Sequence, residues 1–199
     1  MNGDPREQPS AHAQASTTET SAAPATSATS TTSATSATSA PGHVTALIRH
    51  FADLRDHTHG GAVSRADKES HFIHAVELLA PAARRVLEEI DTHLLLGTGS
   101  IAETGVQRDA EGGLSASWEL AWPEQRAVGV PPVTLCAYYG IGFHHPHLRG
   151  ATVRDWPLNV FTTDDADDQI PIMRAIVTSD LHNLVFQADY RIIPAITGL

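Results

Sequence analysis

Leu114-Ser-Ala-Ser-Trp-Glu-Leu-Ala-Trp122 sets an apolar residue at every second position: Leu114, Ala116, Trp118, Leu120 and Trp122. In an extended chain, residues two apart point to one side, so this alternation predicts a strand with one face in a core. Just before it, Asp109-Ala-Glu-Gly-Gly113 separates the run from residues 100–108, which predicts a hairpin closed by a glycine turn. Residues 132–139 read as a third strand, with Pro131-Pro132 fixing its start. A short strand interrupted by Trp156-Pro157 is expected within 152–161, and the alternation over 183–193 predicts another. Residues 170–179 suit a helix or a strand.

Upstream the period changes from two to about 3.6. Val44, Leu47, Ile48, Phe51 and Leu54 recur at helical spacing, which predicts a short amphipathic helix over 43–55 with these residues on its apolar face. His57-Thr-His-Gly-Gly61 breaks it. A second helix opens at Ser64, an N-cap with Asp67 three residues on. Its apolar positions run from Phe72 to Leu94, with Pro81 as a kink or a new start and Gly97 as the stop. From Ala15 to Pro41 every residue except Glu19 is Ala, Ser, Thr or Pro. Such a segment has no large apolar side chains to offset the entropy of ordering, so residues 1–41 are expected to be a disordered tail. The expected fold is α+β: N-terminal helices packed on a mostly antiparallel sheet, in one domain over 42–199.

Composition removes several function classes. A formal charge of −10 argues against nucleic acid, because phosphate binding needs concentrated Lys and Arg. Arg84-Arg85 is followed by Glu88-Glu89, the pattern of a solvated helix face. No run approaches the roughly 18 apolar residues of a membrane span. The start of the chain lacks the apolar core of a secretory signal. The single cysteine, Cys136, excludes an intramolecular disulfide and a cysteine-rich zinc site, and reads as a small buried apolar residue. The expected setting is the cytoplasm.

The stretch with most chemistry is Gly140-Ile-Gly-Phe-His-His-Pro-His-Leu-Arg-Gly150, with three imidazoles in four positions. In an extended segment His145 and His147 point to one side and can share an ion. His182 is the expected third ligand, giving a facial set with open positions for Fe(II) or zinc. His144 or Asp180 would then handle protons. Arg149 or Arg154 would hold an anionic group of a small-molecule substrate, since the guanidinium fork binds carboxylates bidentately. Tyr139 would line the pocket. The bland alternative is a proline turn whose histidines cap it or hydrogen-bond within it. Histidines serving as a pH switch are a third option.

Two family resemblances overlap on these residues. His145-Pro-His147 following Gly140 and Gly142, with a lone histidine some tens of residues later, resembles the cupins and their three-histidine oxygenases, which implies a metal-dependent enzyme. No glutamate follows this pair, and no Pro-x-Gly turn precedes His182. Leu120-Ala-Trp-Pro123, Pro131-Pro132 and His145-Pro-His147 with Gly150 and Trp156 are similar in order to the ubiquitin-conjugating E2 fold. That likeness implies a helix leading into an antiparallel meander, a Pro-Pro pair entering the third strand, and a His-Pro turn before a catalytic cysteine. Ala151-Thr-Val-Arg-Asp155 holds no cysteine, so the resemblance implies a non-catalytic module that docks on a protein partner. The predicted strand at 183–193 departs from the helical end of that family.

Other motifs reduce to structure. Gly97-Thr-Gly-Ser-Ile-Ala-Glu-Thr-Gly105 follows a helix and precedes a strand, the reverse of a dinucleotide loop. Asp164, Asp165, Asp167 and Asp168 lack the spacing of an EF-hand loop and are expected to cap a following helix. His71, His74 and Glu77 read as a polar helix face, and His57 and His59 as exposed loop residues.

Overall fold

Phe72, Ala75, Val76, Leu79, Ala82, Ala83, Val86 and Leu87 form one buried stripe along α2 (Arg65–Leu94), the helix on which the core is built. The computed structural model describes residues 40–198 of the chain, so the tail expected over 1–41 lies, except for Ala40 and Pro41, outside the described residues. Ser64 caps α2 as expected, its hydroxyl accepting the Asp67 amide. Pro81 does not start a new helix, since α2 runs unbroken through it. It sits on the exposed face, and so does Glu77, whose carbonyl loses its usual i+4 donor. Water can satisfy that carbonyl.

The strands follow in a meander: β1 (Ser100–Glu103), β2 (Gln107–Arg108), β3 (Leu114–Ala121) and β4 (Val133–Tyr139), with the short α3 (Pro123–Ala127) between the last two. β5 (His147–Arg149) and β6 (Trp156–Pro157) complete the sheet, in the order β1-β3-β4-β5-β6 with β2 also on β3. Every pairing is antiparallel. The β3–β4 register runs from Leu114 opposite Tyr139 to Leu120 opposite Val133. Leu114, Ala116, Trp118 and Leu120 therefore share a buried face with Val133, Leu135, Ala137 and Tyr139. Trp118 and Trp122 are core, as expected, but Tyr138 stands on the opposite face and Tyr139 takes the core position.

After the sheet come α4 (Thr163–Asp168), α5 (Ile170–Ala188), a 3-10 turn (Tyr190–Ile192) and α6 (Pro194–Thr197). The aspartates directly precede α5 but are themselves helical, forming α4, and the cap they make is on α4: Thr162 and Asp165 exchange side chain–backbone hydrogen bonds in a capping box. The strand expected over 183–193 is a helix through Ala188. Leu184 continues the stripe of Val177 and Leu181 at spacings of four and three, a longer period that the local alternation hides. Residues 152–161 contribute only the two-residue β6. No helix of the described residues is long and apolar enough to cross a membrane.

One element is built inside out. α1 (Gly42–Asp56) buries only His50 and Asp53, while Ile48 and Phe51 are each 60 % exposed and Leu54 is 43 % exposed. The period is helical as predicted, but the face turned inward is the polar one. Ile48→Gln should therefore shift unfolding stability by no more than about 0.5 kcal/mol, whereas Trp118→Ala should cost roughly 3–5 kcal/mol. Urea unfolding of the two variants checks this. A large loss for Ile48→Gln would mean that its side chain is buried.

Candidate functional site

The inward face of α1 meets the histidine loop. The His50 ring packs edge-on against His145 at 4.7 Å between centroids, and the His145 and His147 centroids lie 6.5 Å apart. His59 packs against Phe161 at 5.0 Å and is fully buried, not exposed as its glycine-rich surroundings suggest. Lys68, 5 % exposed, reaches in from α2 and donates its Nζ to the carbonyls of His57 (2.9 Å) and His144 (3.3 Å). Asp53 accepts from the Thr58 hydroxyl at 2.6 Å and the Gly60 amide at 3.1 Å, and lies 4.0 Å from His59 Nδ1.

Burial dominates the electrostatics. It pushes His59 down to about 3, against the pull of Asp53, with His145, His71 and Lys68 adding further lowering. His145 is pushed down to about 4, first by burial and then by His50, His147 and Lys68. His50 and His147 are also lowered by burial. The Nδ1 atoms of His50, His59, His145 and His147 have no hydrogen-bond partner, nor does His59 Nε2. These are neutral imidazoles packed as aromatic rings, with a cation already among them.

The predicted metal set does not assemble. His145 and His147 are brought together, but His182 is exposed in the middle of α5. Among the described residues no group of three or more His, Cys, Asp or Glu side chains is placed to hold a metal ion. His145, His147 and His182 therefore do not converge as an Fe(II) or zinc ligand set. The strand expected over 183–193 would have begun next to His182, but that residue lies within α5 and is exposed there.

The remaining predicted site residues have other tasks. His144 is exposed, and its backbone carbonyl takes the Lys68 proton. Asp180, 3 % exposed, spends one oxygen on the Ala151 amide (2.7 Å) and the other on the Thr152 amide (2.8 Å). Through both oxygens it fastens the turn after β5 to α5. A Cβ on Gly150 would lie 2.3 Å from Asp180 Oδ2 and 2.4 Å from Ile176 Cγ2, so the turn can approach α5 only because that residue is glycine. Tyr139 is 1 % exposed, with the Arg65 guanidinium 3.6 Å over its ring. Arg65 also donates to the carbonyls of Tyr139 and Gly140 and to Glu69. Hydrogen bonds from Arg108 and then Arg65 hold the Glu69 carboxyl down at about 2. This clamp closes the start of the histidine loop onto α2, and sequence reasoning missed it because Arg108 lies 39 residues from Glu69, and Tyr139 and Gly140 lie 74 and 75 residues from Arg65. Arg154 is exposed; Arg149 is half-buried on the non-core face, with the half-buried Cys136 opposite it on β4.

The lowered histidines fix a pH dependence. Between the ordinary histidine value of about 6.5 and the folded values, the unfolded chain binds protons that the folded chain refuses. Stability is fully present above about pH 6.5 and is lost as pH falls toward 4 and then 3. Between pH 6.5 and 5 the slope should approach ~1.4 kcal/mol per pH unit for each of His59 and His145. Urea midpoints over that range check it, and a flat profile would contradict the burial of these rings. Separately, Asp180→Asn turns an amide donor toward an amide and should cost roughly 1–3 kcal/mol. Faster hydrogen exchange at Ala151 and Thr152 is the accompanying sign.

Compared with protein-family models, curated proteins and solved structures, the chain matches none of them.

Proposed function

We propose that this chain is a non-catalytic interaction module of E2-like architecture, which docks on a protein partner in the cytoplasm through the outward face of α1. The observation that carries this reading is the inverted helix: Ile48 and Phe51, one turn apart, are each 60 % exposed, while His50 and Asp53 are buried. An apolar stripe held outward by polar anchors is how a helix presents contacts to a groove in a partner. Phe143 and Ile141, from the histidine loop, are further exposed apolar residues.

Element order supports the architecture. A long helix leads into an antiparallel meander, Pro131-Pro132 precede β4, and His145-Pro-His147 makes the turn into β5. The chain then ends in helices, which removes the departure that a terminal strand would have made. The turn is a structural part under this reading: His145, Pro146 and His147 are buried, and the Pro146 carbonyl accepts the Leu158 amide at 3.0 Å. One thiol and no paired cysteines suit a reducing compartment.

Two measurements test the proposal. Elemental analysis of untagged protein should find no stoichiometric metal; zinc or iron at one equivalent, lost in a folded His147→Ala variant, would overturn it. A photo-crosslinking phenylalanine analogue in place of Phe51 should capture one defined protein in host extract. Ile48→Glu, which leaves the fold intact, should abolish the capture. Indiscriminate labelling that Ile48→Glu does not change would contradict docking through α1.

A further inference from the structure

A cavity of the described chain lies away from the histidine cluster. It is a groove of about 590 Å³ between the β4–β5 edge, the turn after β5 and the C-terminal half of α5. Pro131, Pro132 and Leu184 supply apolar walls, with Arg149, Cys136 and Asn183 among the polar lining. Its volume falls within the range of about 300–1,000 Å³ typical of small-molecule pockets.

Arg149 decides what it would take. Its guanidinium lies 4.2 Å over the Tyr138 ring, which fixes the plane of the fork. Most arginines of the described chain are ion-paired: Arg49 with Asp165, Arg65 and Arg108 with Glu69, Arg174 with Glu89. Arg149 has no carboxylate within 4.0 Å among the described residues, although the chain carries ten net negative charges. Asp180 lines the same groove, but its two oxygens are taken by the Ala151 and Thr152 amides. The same two bonds remove those amides as anion donors. One planar fork without a nest of backbone N–H groups suits a carboxylate better than a phosphate dianion.

We propose that this groove binds a small organic monocarboxylate, its carboxylate on the Arg149 fork and its apolar body against Pro131, Pro132 and Leu184. The site stands apart from the docking face of α1 and does not depend on it. Cys136 is its built-in reporter, because cross-strand pairing sets Cys136 opposite Arg149 and it is the only cysteine of the chain.

The experiment compares two alkylating reagents on the full-length protein by intact mass. Iodoacetate carries a carboxylate and iodoacetamide does not. In both cases the Cys136 sulfur forms a bond to the reagent methylene, iodide leaves with the electrons of the broken C–I bond, and the thiol proton passes to solvent. Iodoacetate modification should saturate with concentration, and hexanoate should slow it. Arg149→Gln should lower the iodoacetate-to-iodoacetamide rate ratio by about tenfold or more, the loss expected for a charge-assisted pair. Arg149→Lys, which keeps the charge and loses the fork, should lie between, and serves alone if Arg149→Gln does not fold. A ratio equal to that of free cysteine and unchanged by both substitutions would overturn the proposal. So would a Cys136 that neither reagent reaches in the folded protein, or a wild-type reaction that hexanoate does not slow.

Discussion

One buried cation organises the part of this molecule that carries its histidines. Lys68 extends from the first turns of α2 and ties two separate loops together, donating to the His57 carbonyl after α1 and to the His144 carbonyl before β5. Carbonyl oxygens can hold a buried ammonium, yet they carry no formal charge to offset it, so neighbouring groups must avoid adding positive charge. The surrounding imidazoles meet that condition by staying neutral. Lys68 itself contributes to the lowering at His59 and His145. Asp53 is the local counterweight, buried and fully engaged with Thr58 and Gly60. The inversion of α1 follows. Its polar side chains complete a polar, closely packed cluster, and its apolar ones are left for something else to cover.

The cluster also shows how a loop crowded with histidines can be buried. An imidazole packs like an aromatic ring while it is neutral, and the edge-on contact between His50 and His145 is such a packing. What is unusual is the number of ring nitrogens without partners, which makes the loop a place where protonation is costly.

Much of the fold is legible in the sequence because the periods are unambiguous over long runs. The alternation from Leu114 to Trp122 and the stripe from Phe72 to Leu87 place the sheet and its covering helix, and Ser64 with Asp67 marks where that helix starts. The failures share a cause, which is that local pattern does not say which neighbour a side chain will meet. Asn183 to Ile193 alternates, but Leu184 belongs with Val177 and Leu181. α1 has a correct helical period, but nothing within 43–55 reveals that His145 would meet its polar face. For the candidate site, the loop at 140–150 does bring His145 and His147 together, and Arg149 does line a groove. The pairing of His145 with His182 was not realised, because it depended on the strand that became a helix. Asp180 as a backbone clamp was invisible, since its partners lie 28 and 29 residues away.

The central claim is that the histidines beneath α1 are neutral, buried packing groups. Imidazole nitrogen chemical shifts followed by NMR from pH 8 to pH 5 test it most directly. His59 and His145 should each hold one neutral tautomer throughout. Titration of either ring near the ordinary histidine value of about 6.5, with the fold intact, would contradict their burial as neutral groups.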